Sequence, residues 1–282
     1  MTGALAPRGA APSWRVVRLE EIDSTNEEAR RRALASDPGG LWIVAAAQRA
    51  GRGRRGRTWV SPKGNLYATA LLIDPCPQAL APQLGFVAGV ALAQAAHDLG
   101  ATDVRLKWPN DLLLRGAKCA GLLMEGVAAP GGRFGCVVGV GVNCASAPNG
   151  VGYPAAVLRG PSGAAIEAAK LFERLMERFD EALAEWRSGA AFASIRTAWL
   201  ERAAGLGERI RVVVGGAARE GTFAGLDADG RLLLGEGAAI TTIEAADLWI
   251  LPEPAAEPQA LILRSDAEHR VSKDAAQRRA AS

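Results

Sequence analysis

Residues 48–59 read QRAGRGRRGRTW and place five arginines and three glycines within the ten positions from Gln48 to Arg57. The apolar run Leu41–Ala47 precedes this stretch, and the extended-looking segment Asn65–Ile73 follows it. Glycine lets a backbone adopt positive φ and approach a ligand closely. Arginine offers a planar, permanently charged fork that suits phosphate and carboxylate. The stretch therefore predicts a flexible cationic loop between two strands that can hold an anionic ligand.

Two other interpretations of this loop must be weighed. Gly51, Gly53 and Gly56 match the spacing of a dinucleotide-binding fingerprint, which requires a helix directly after the last glycine. Pro62 and Gly64 disfavour a helix there. The loop alone is also compatible with a basic patch for nucleic acid or with a solvated surface loop. The rest of the chain has to decide between these interpretations and an anion clamp.

The composition is that of an ordinary globular protein. Of the 282 residues, 49% are hydrophobic and 22% charged, which is enough for one large domain and a small one. A net charge of +3 argues against a protein that binds nucleic acid over its whole surface. We find no apolar signal segment within residues 1–13 and no run of eighteen apolar residues. We therefore expect a cytoplasmic protein that does not cross a membrane.

The cysteines and histidines do not form a metal-binding pattern. No two cysteines have the Cys-x-x-Cys spacing, and no histidine stands near any of them. A zinc site and a disulfide framework are therefore not expected, and the cysteines are predicted to be reduced and buried. These residues are Cys76, Cys119, Cys136, Cys144, His97 and His269.

The first ordered segment is predicted to be a strand followed by a helix. Residues 1–13 are expected to be a disordered lead, and residues 14–19 alternate as a strand does. Ser24 and Thr25 each have a glutamate three residues later, which is the capping-box pattern of a helix start. That helix should end near Ala35, before Pro38. Ser24 and Thr25 either only cap this helix or also present hydroxyl and backbone N–H groups to a ligand.

A mixture of predicted strands and helices continues up to about residue 204. Glycines recur at 135, 139 and 141 in one predicted strand, which indicates that another group approaches its backbone closely. The predicted strands are Asn65–Asp74, Val104–Trp108, the hairpin arms Asp111–Arg115 and Lys118–Glu125, and Phe134–Val142; the predicted helices are Gln78–Leu99, Ala164–Arg187 and Ala191–Ala204.

The chain changes character after residue 204. Short strands separated by tight turns are typical of a small β-barrel. The predicted strands are Arg209–Val214, Glu220–Ala224, Arg231–Leu234 and Ala239–Ile243. We expect an α+β protein with a large domain over residues 14–204, a small β domain over 205–252, and a disordered tail over 253–282.

Several motifs, in this order, resemble those of the biotin protein ligase family. They are DSTN at 23–26, the arginine stretch at 48–59, KWPND at 107–111, and G-x-G-x-N at 139–143. The spacing K-x-x-G-x-L-x-E at 118–125 adds a fifth. The resemblance spans about residues 14–250. Because order and approximate spacing agree as well as the letters, the set is specific.

The resemblance implies a fold and an activity. Family members have a mixed β-sheet catalytic domain of the class II synthetase/biotin–lipoate ligase type, with helices on one face, followed by an SH3-like β-barrel. They join biotin to ATP, with Mg2+, to form biotinyl-5′-AMP and pyrophosphate. They then transfer biotin to one lysine of a carrier domain on acetyl-CoA carboxylase or another biotin-dependent carboxylase. Only 23 residues precede Ser24, so we expect a monofunctional ligase without the DNA-binding domain of some members. A homodimer is a further possibility.

The resemblance also implies how biotin is bound. Ser24, Thr25 and Asn26 would hold the ureido end of biotin together with Gln48. Residues 52–54 would close over the biotin carboxylate and the phosphate.

Two cations of the set are implied to be catalytic. Arg54 belongs to the segment 52–54, with Arg52 and Gly53, and would reach the reacting groups when that segment closes over the ligand. Lys118 would bind between the biotin carboxylate and the α-phosphate, unless it is only a surface lysine of the hairpin.

The ATP site would draw on a partly overlapping set. Trp59 would pack over the ligand, or would equally be ordinary core, and Asn143 would meet the adenine or its approach. Asp111 either helps to hold magnesium or is a turn aspartate after Pro109. The residues implied to bind ATP are Arg52, Arg54, Trp59, Lys107, Asn110 and Asn143.

Two alternative functions remain open at the level of sequence. A lipoate or octanoate ligase shares the catalytic fold, although the complete arginine loop and the KWPND stretch favour biotin. A non-catalytic basic module that binds RNA or DNA would explain the arginines. The cluster is a single loop without neighbouring aromatic residues for stacking bases, which weakens that second alternative.

Overall fold

The computed structural model describes residues 14–244 and 246–251. The predicted disordered lead at 1–13 and the predicted tail at 253–282 lie outside the described residues. The helices and strands of the first part of the chain are β1 (Arg15–Ile22), α1 (Thr25–Leu34), β2 (Leu41–Gln48), β3 (Leu66–Ile73), α2 (Gln83–Asp98), β4 (Val104–Lys107), β5 (Asp111–Leu114), β6 (Ala117–Ala129), β7 (Arg133–Val142), α3 (Ala168–Trp186) and α4 (Phe192–Leu200).

The first seven strands form one mixed sheet in the order β1-β2-β3-β7-β6-β5-β4. Strands β1 and β2 are parallel, and every other neighbouring pair is antiparallel. The predicted hairpin of β5 and β6 is present, with its turn at residues 115–116. The sheet confirms the mixed architecture expected for the large part of the chain.

Helices cover both faces of this sheet. Along β2, Leu41 and Ile43 pack with Ala29 of α1, whereas the intervening Trp42 lies edge-on against Phe172 of α3. Strand residues alternate between the two faces, so α1 and α3 must lie on opposite sides. The expectation that the helices share one face is therefore wrong for α1, which covers the face away from the main core.

The second sheet contains five antiparallel strands and confirms the predicted small β domain. They are β8 (Arg209–Val214), β9 (Ala217–Leu226), β10 (Leu232–Glu236), β11 (Ala239–Ile243) and β12 (Asp247–Ile250), in the order β11-β10-β9-β8-β12. Its core contains the fully buried Ile210, Phe223 and Leu234. The architecture is α+β and agrees with an SH3-like second part. Strand β12 was not predicted from the sequence, and the boundary at residue 205 stays a prediction.

Helix α2 begins later than predicted, and helix α1 lacks the predicted side-chain cap. The predicted helix Gln78–Leu99 is a short 3₁₀ turn over Gln78–Leu80 followed by α2, because Pro82 stands at the cap position and interrupts the pattern. Helix α1 begins after Ser24 as predicted, but the Ser24 side chain makes no capping hydrogen bond. The capping box is therefore not formed, and its glutamates pair with arginines of the same helix instead.

Cys119, Cys136 and Cys144 are fully buried, as predicted, whereas Cys76 is only half-buried; all four are free thiols. Burial raises the pKa of Cys119 and of Cys136 to about 12. Among the helices described, none is long and apolar enough to cross a membrane.

Candidate active site

A cavity of about 730 Å³ lies on the α1 side of the first sheet, beyond the N-terminus of the helix. It is lined by the start of α1, the arginine loop, the β4–β5 turn, β6, β7 and β12. It brings together all of the predicted site residues except Asn143. Those on its wall are Ser24, Thr25, Asn26, Gln48, Arg52, Gly53, Arg54, Trp59, Lys107, Asn110, Asp111 and Lys118.

One end of the cavity is built from short polar side chains. Ser24 and Thr25 are 4% exposed at the N-terminus of α1. The Thr25 backbone N–H donates to Gln48 Oε1 at 2.8 Å, and the Gln48 amide nitrogen donates to the Ser61 hydroxyl at 3.0 Å. These bonds fix the orientation of Gln48 and of the first turn of the helix. They leave hydroxyl, amide and N–H groups at one place, which suits a polar, uncharged ligand group.

Asn26 is held from both ends of its amide. Its nitrogen donates to Glu125 at 2.8 Å and its oxygen accepts from the Thr69 hydroxyl at 2.8 Å. A Cβ added at Gly139 would stand 2.1 Å from that oxygen, so the glycine of β7 makes room for the amide. Thr69 and Glu125 were not among the predicted site residues. Thr69 and Tyr67 are the two residues of β3 with a polar side-chain group, and a threonine within this apolar strand is a signal that sequence reasoning could have used.

A second glycine of β7 makes room for Trp59. A Cβ at Gly141 would lie 2.7 Å from the indole Nε1, and one at Gly121 of β6 would lie 3.3 Å from the same ring system. Trp59 therefore rests on the cavity floor and not in the main core. The predicted close approach to the glycines of this strand is confirmed: the approaching side chains are Asn26 at Gly139, Trp59 at Gly141 and Val127 at Gly135.

Lys118 projects into the cavity and is 19% exposed, which excludes the interpretation as a solvated hairpin lysine. Its Nζ lies 2.6 Å from Asp111 Oδ1. It also stands 5.5 Å from the ring centroid of Trp59 and 5.4 Å from that of Tyr153, distances at which an ammonium is attracted to an aromatic ring. Tyr153 lies in the irregular segment before α3 and was not predicted.

Further cations surround the same space. Arg54 Nη1 donates to the Asn110 side-chain oxygen at 3.1 Å. Arg52 reaches Glu125 at 3.1 Å. Burial lowers the pKa of Lys107 and of Arg54 from their ordinary values, because desolvation disfavours the charged forms. An anionic ligand would offset that desolvation, so the electrostatics favour a bound carboxylate or phosphate.

Asn143 does not lie on the cavity wall, and its expected contact with the adenine or its approach stays a prediction. It is 2% exposed, and its side-chain nitrogen donates to the Ala156 carbonyl at 3.1 Å. Its backbone bonds to Cys119 and Leu158. The side chain therefore joins the end of β7 to the segment 154–158, which forms part of the support behind the site.

The metal prediction rests on Asp111 alone. Within residues 14–244 and 246–251, no group of three or more histidine, cysteine, aspartate or glutamate side chains could hold a metal ion by itself. The Asp111 carboxylate is paired with Lys118. One carboxylate is nevertheless a sufficient protein ligand for magnesium that arrives with a nucleotide, whose phosphates and waters complete the coordination. The role of Asp111 stays a prediction.

Comparison with known proteins identifies the family. A profile of the biotin/lipoate A/B protein ligase family matches residues 19–143. The biotin–[acetyl-CoA-carboxylase] ligase of Paracoccus denitrificans is 41% identical over 245 residues, which cover 82% of this chain and 98% of that protein. The chain belongs to the biotin/lipoate A/B protein ligase family. The biotin–[acetyl-CoA-carboxylase] ligase of Mycobacterium tuberculosis is 32% identical over 85% of this chain and 91% of its own length.

A solved structure of this family agrees with the fold. The biotin protein ligase of Aquifex aeolicus, in complex with biotin and ATP, superimposes with a TM-score of 0.72 at 27% identity. The match covers 84% of this chain and 99% of that one. The similarity extends beyond the residues matched by the family profile and includes the region of the second sheet.

Proposed function

We propose that this protein is an ATP-dependent biotin protein ligase that forms biotinyl-5′-AMP and then biotinylates a carrier domain. The observation that carries the proposal is one cavity that joins a polar, uncharged end at Ser24, Thr25 and Gln48 to a cationic region with Lys118 and Arg54. Biotin has the same two ends, a ureido ring and a carboxylate. The 41% identity to a biotin–[acetyl-CoA-carboxylase] ligase supports the same activity.

In the first step a biotin carboxylate oxygen attacks the α-phosphorus of ATP. The new O–P bond forms as the bond to the β-phosphate oxygen breaks, and pyrophosphate leaves with the bonding electrons. Both reactants are anionic, so catalysis consists mainly of positioning and charge neutralisation. We assign the neutralisation to Lys118 and Arg54, with Arg52 and Lys107 adding positive potential. Trp59, Asn110 and the backbone at Gly53 would complete the nucleotide and carboxylate contacts.

In the second step the deprotonated amine of a carrier lysine attacks the acyl carbon of the adenylate. An amide bond forms, the acyl–phosphate bond breaks and AMP leaves. The adenylate hydrolyses if water reaches it first, so the arginine loop must exclude water until the carrier binds. Mg2+ would enter with the triphosphate and neutralise part of its charge, and Asp111 is the residue that would hold it.

The polar end of the cavity is the reason to prefer biotin over lipoate or octanoate. A lipoyl or octanoyl chain ends in an apolar group, which would cover the polar groups at Ser24, Thr25 and Gln48 without offering them a hydrogen bond. A site built to hydrogen-bond its substrate rejects an analogue that lacks those bonds by a factor of about 10⁴. Ureido nitrogen and oxygen atoms would instead satisfy them.

The biotinylated partner would be the carrier domain of acetyl-CoA carboxylase or of another biotin-dependent carboxylase. The relatives from Paracoccus and Mycobacterium are named for acetyl-CoA carboxylase, which supports that partner. Action in the cytoplasm, the absence of DNA binding and the possible homodimer are further parts of the proposal.

Incorporation of labelled biotin into a purified carrier domain tests the proposal. Wild-type protein should biotinylate the carrier lysine only when ATP and magnesium are present. Lys118→Ala and Arg54→Ala should lower the rate at least about 100-fold, the usual effect of removing one transition-state stabilising group. Lys170→Ala and Arg174→Ala are matched controls, because both residues are exposed on α3 and should leave the rate unchanged. Full activity in either site variant, with an unchanged melting temperature, would refute the site assignment.

A further inference from the structure

The arginine loop is fastened to the second sheet by one carboxylate. Asp247 accepts from Arg55 Nη1 at 2.8 Å through one oxygen and from Arg57 Nη2 at 2.9 Å through the other. Asp247 is the first residue of β12 and pairs in register with Val213 of β8. Two arginines of the loop between β2 and β3 are thereby held by a strand about 190 residues further along the chain.

The attachment lies at the most strained part of the loop. Arg55 has a φ of 56° and Gly56 a φ of 72°. A residue other than glycine adopts such a left-handed conformation only when its surroundings favour it. Three guanidinium groups within four positions also repel one another, as at Arg54, Arg55 and Arg57. The two ion pairs with Asp247 offset both effects.

The same attachment directs Arg54 into the cavity. Arg54 donates to Asn110 at 3.1 Å and to the carbonyl of Ala246, the neighbour of Asp247, at 3.5 Å. Arg57 and Asp247 lie on the cavity wall together with Arg54, whereas Arg55 does not line the cavity. With Arg55 and Arg57 held by Asp247, the turn at residues 54–56 keeps Arg54 directed into the cavity.

We propose that Asp247 is a positioning residue that holds the arginine loop closed over the site, so that Arg54 stays directed at the reacting groups and the adenylate is retained. The effect on adenylate retention rests on the proposed function, whereas the clamp, meaning the attachment of the arginine loop to Asp247, does not. An ion pair on the surface without this role would contribute little and would leave the behaviour of the loop unchanged. The clamp assigns the second sheet a part in closing the site.

Asp247→Asn removes the charge and keeps the shape, and Asp229→Asn is the matched control. Asp229 is an exposed carboxylate in the turn between β9 and β10 that pairs with Arg231 at 3.1 Å and does not line the cavity. Both substitutions are made in the full chain. Asp247→Glu, which retains the charge, should restore most of the wild-type behaviour.

The first readout, limited trypsin digestion, needs no ligand. Cleavage after the arginines at positions 52–57 requires the loop to leave the surface. The loss of two partly exposed ion pairs corresponds to roughly ten-fold more frequent opening, so cleavage in Asp247→Asn should be about ten-fold faster than in wild type. Asp229→Asn should be cleaved at the wild-type rate. Equal cleavage rates in Asp247→Asn and wild type would overturn the clamp.

The second readout is release of preformed adenylate. Protein loaded with labelled biotin and ATP is isolated, diluted, and followed for adenylate in solution and for biotin on lysines of a bystander protein. The rate of adenylate release and the rate of bystander biotinylation should both rise about ten-fold in Asp247→Asn, because the same two ion pairs are lost. Replacing Arg55 and Arg57 by glutamine in the Asp247→Asn variant should cause no further increase in adenylate release. A full additional effect of those replacements would show that Asp247 does not act through them.

The two readouts separate this inference from the proposed function. Faster cleavage in Asp247→Asn, in a protein whose wild type forms no adenylate, would support the clamp and refute the ligase. Adenylate formation in wild type with equal retention in Asp247→Asn would support the ligase and refute the clamp.

Discussion

Replacing Gly139 of β7 by alanine tests how the floor of the cavity is built. The added Cβ would lie 2.1 Å from the Asn26 side-chain oxygen, 2.9 Å from its Cγ and 3.0 Å from its nitrogen. Real Cβ atoms do not approach other atoms so closely, so the amide must move. Its movement breaks the bonds with Thr69 and with the carboxylate of Glu125, each 2.8 Å long.

The magnitude follows from those bonds. A neutral hydrogen bond contributes about 1 kcal/mol and one to a charged group about 1.5–3 kcal/mol. Alanine recovers about 0.5–1 kcal/mol because it has less backbone freedom than glycine in the unfolded chain. We therefore expect Gly139→Ala to lower the free energy of unfolding by about 2 kcal/mol. Biotin affinity should fall with it, since Asn26 adjoins Ser24 and Thr25.

Urea unfolding followed by circular dichroism provides the assay, with Gly235→Ala as the control. Gly235 lies in β10, where an added Cβ would be 3.6 Å from its nearest neighbour, so this variant should be as stable as wild type or slightly more stable. In an Asn26→Ala background the clash is absent, and Gly139→Ala should then cost nothing further. Wild-type stability of Gly139→Ala, or full additivity with Asn26→Ala, would refute this account of the glycine.

Three other predictions concern single side chains. Asn143→Ala should lower the free energy of unfolding by about 1–2 kcal/mol through its lost buried bond, and an ATP KM that rises ten-fold without loss of stability would instead indicate direct nucleotide contact. Because burial raises the pKa of Cys119 and Cys136 to about 12, both should resist iodoacetamide at pH 8 in the folded protein and react in urea; rapid labelling of either in the native state would contradict their burial. The hydrogen bond from Arg31 lowers the pKa of Asp23 from 3.8 to about 2, so its contribution is complete above about pH 4 and is lost as the pH falls through 2. Asp23→Asn should therefore be less stable than wild type at pH 7, by under about 1 kcal/mol because the pair is exposed, and this deficit should shrink as the pH falls from 4 to 2; a deficit as large at pH 2 as at pH 7 would contradict this pairing.

Much of the site was predictable because its residues fall in short motifs with their own chemistry. The cluster at Gln48–Trp59 indicated an anion-binding loop from residue types alone, and Lys118 followed from the resemblance. The glycines at 139 and 141 indicated a close approach to the strand. What approaches them could not be predicted, because Asn26 and Trp59 reach the strand from positions far away in the sequence.

Other features depend on tertiary contacts that leave little trace in a local pattern. The letters at Ser24 match a capping box, but the glutamates of the pattern pair with arginines of α1, which compete for them more strongly. Asn143 belongs to a family motif but is committed to the Ala156 carbonyl behind the cavity wall. Asp247 stands in a four-residue strand, too short to be recognised by alternation, and its partners are loop arginines of the first sheet.

ATP–pyrophosphate exchange tests the central claim most directly. The purified protein is incubated with ATP, magnesium and labelled pyrophosphate, together with biotin, lipoate, octanoate or no acid. The account predicts exchange with biotin alone, and its loss in Lys118→Ala. Exchange with lipoate or octanoate in place of biotin would contradict the substrate assigned to the polar end of the cavity. No exchange with any acid, in a folded protein, would contradict the ligase itself.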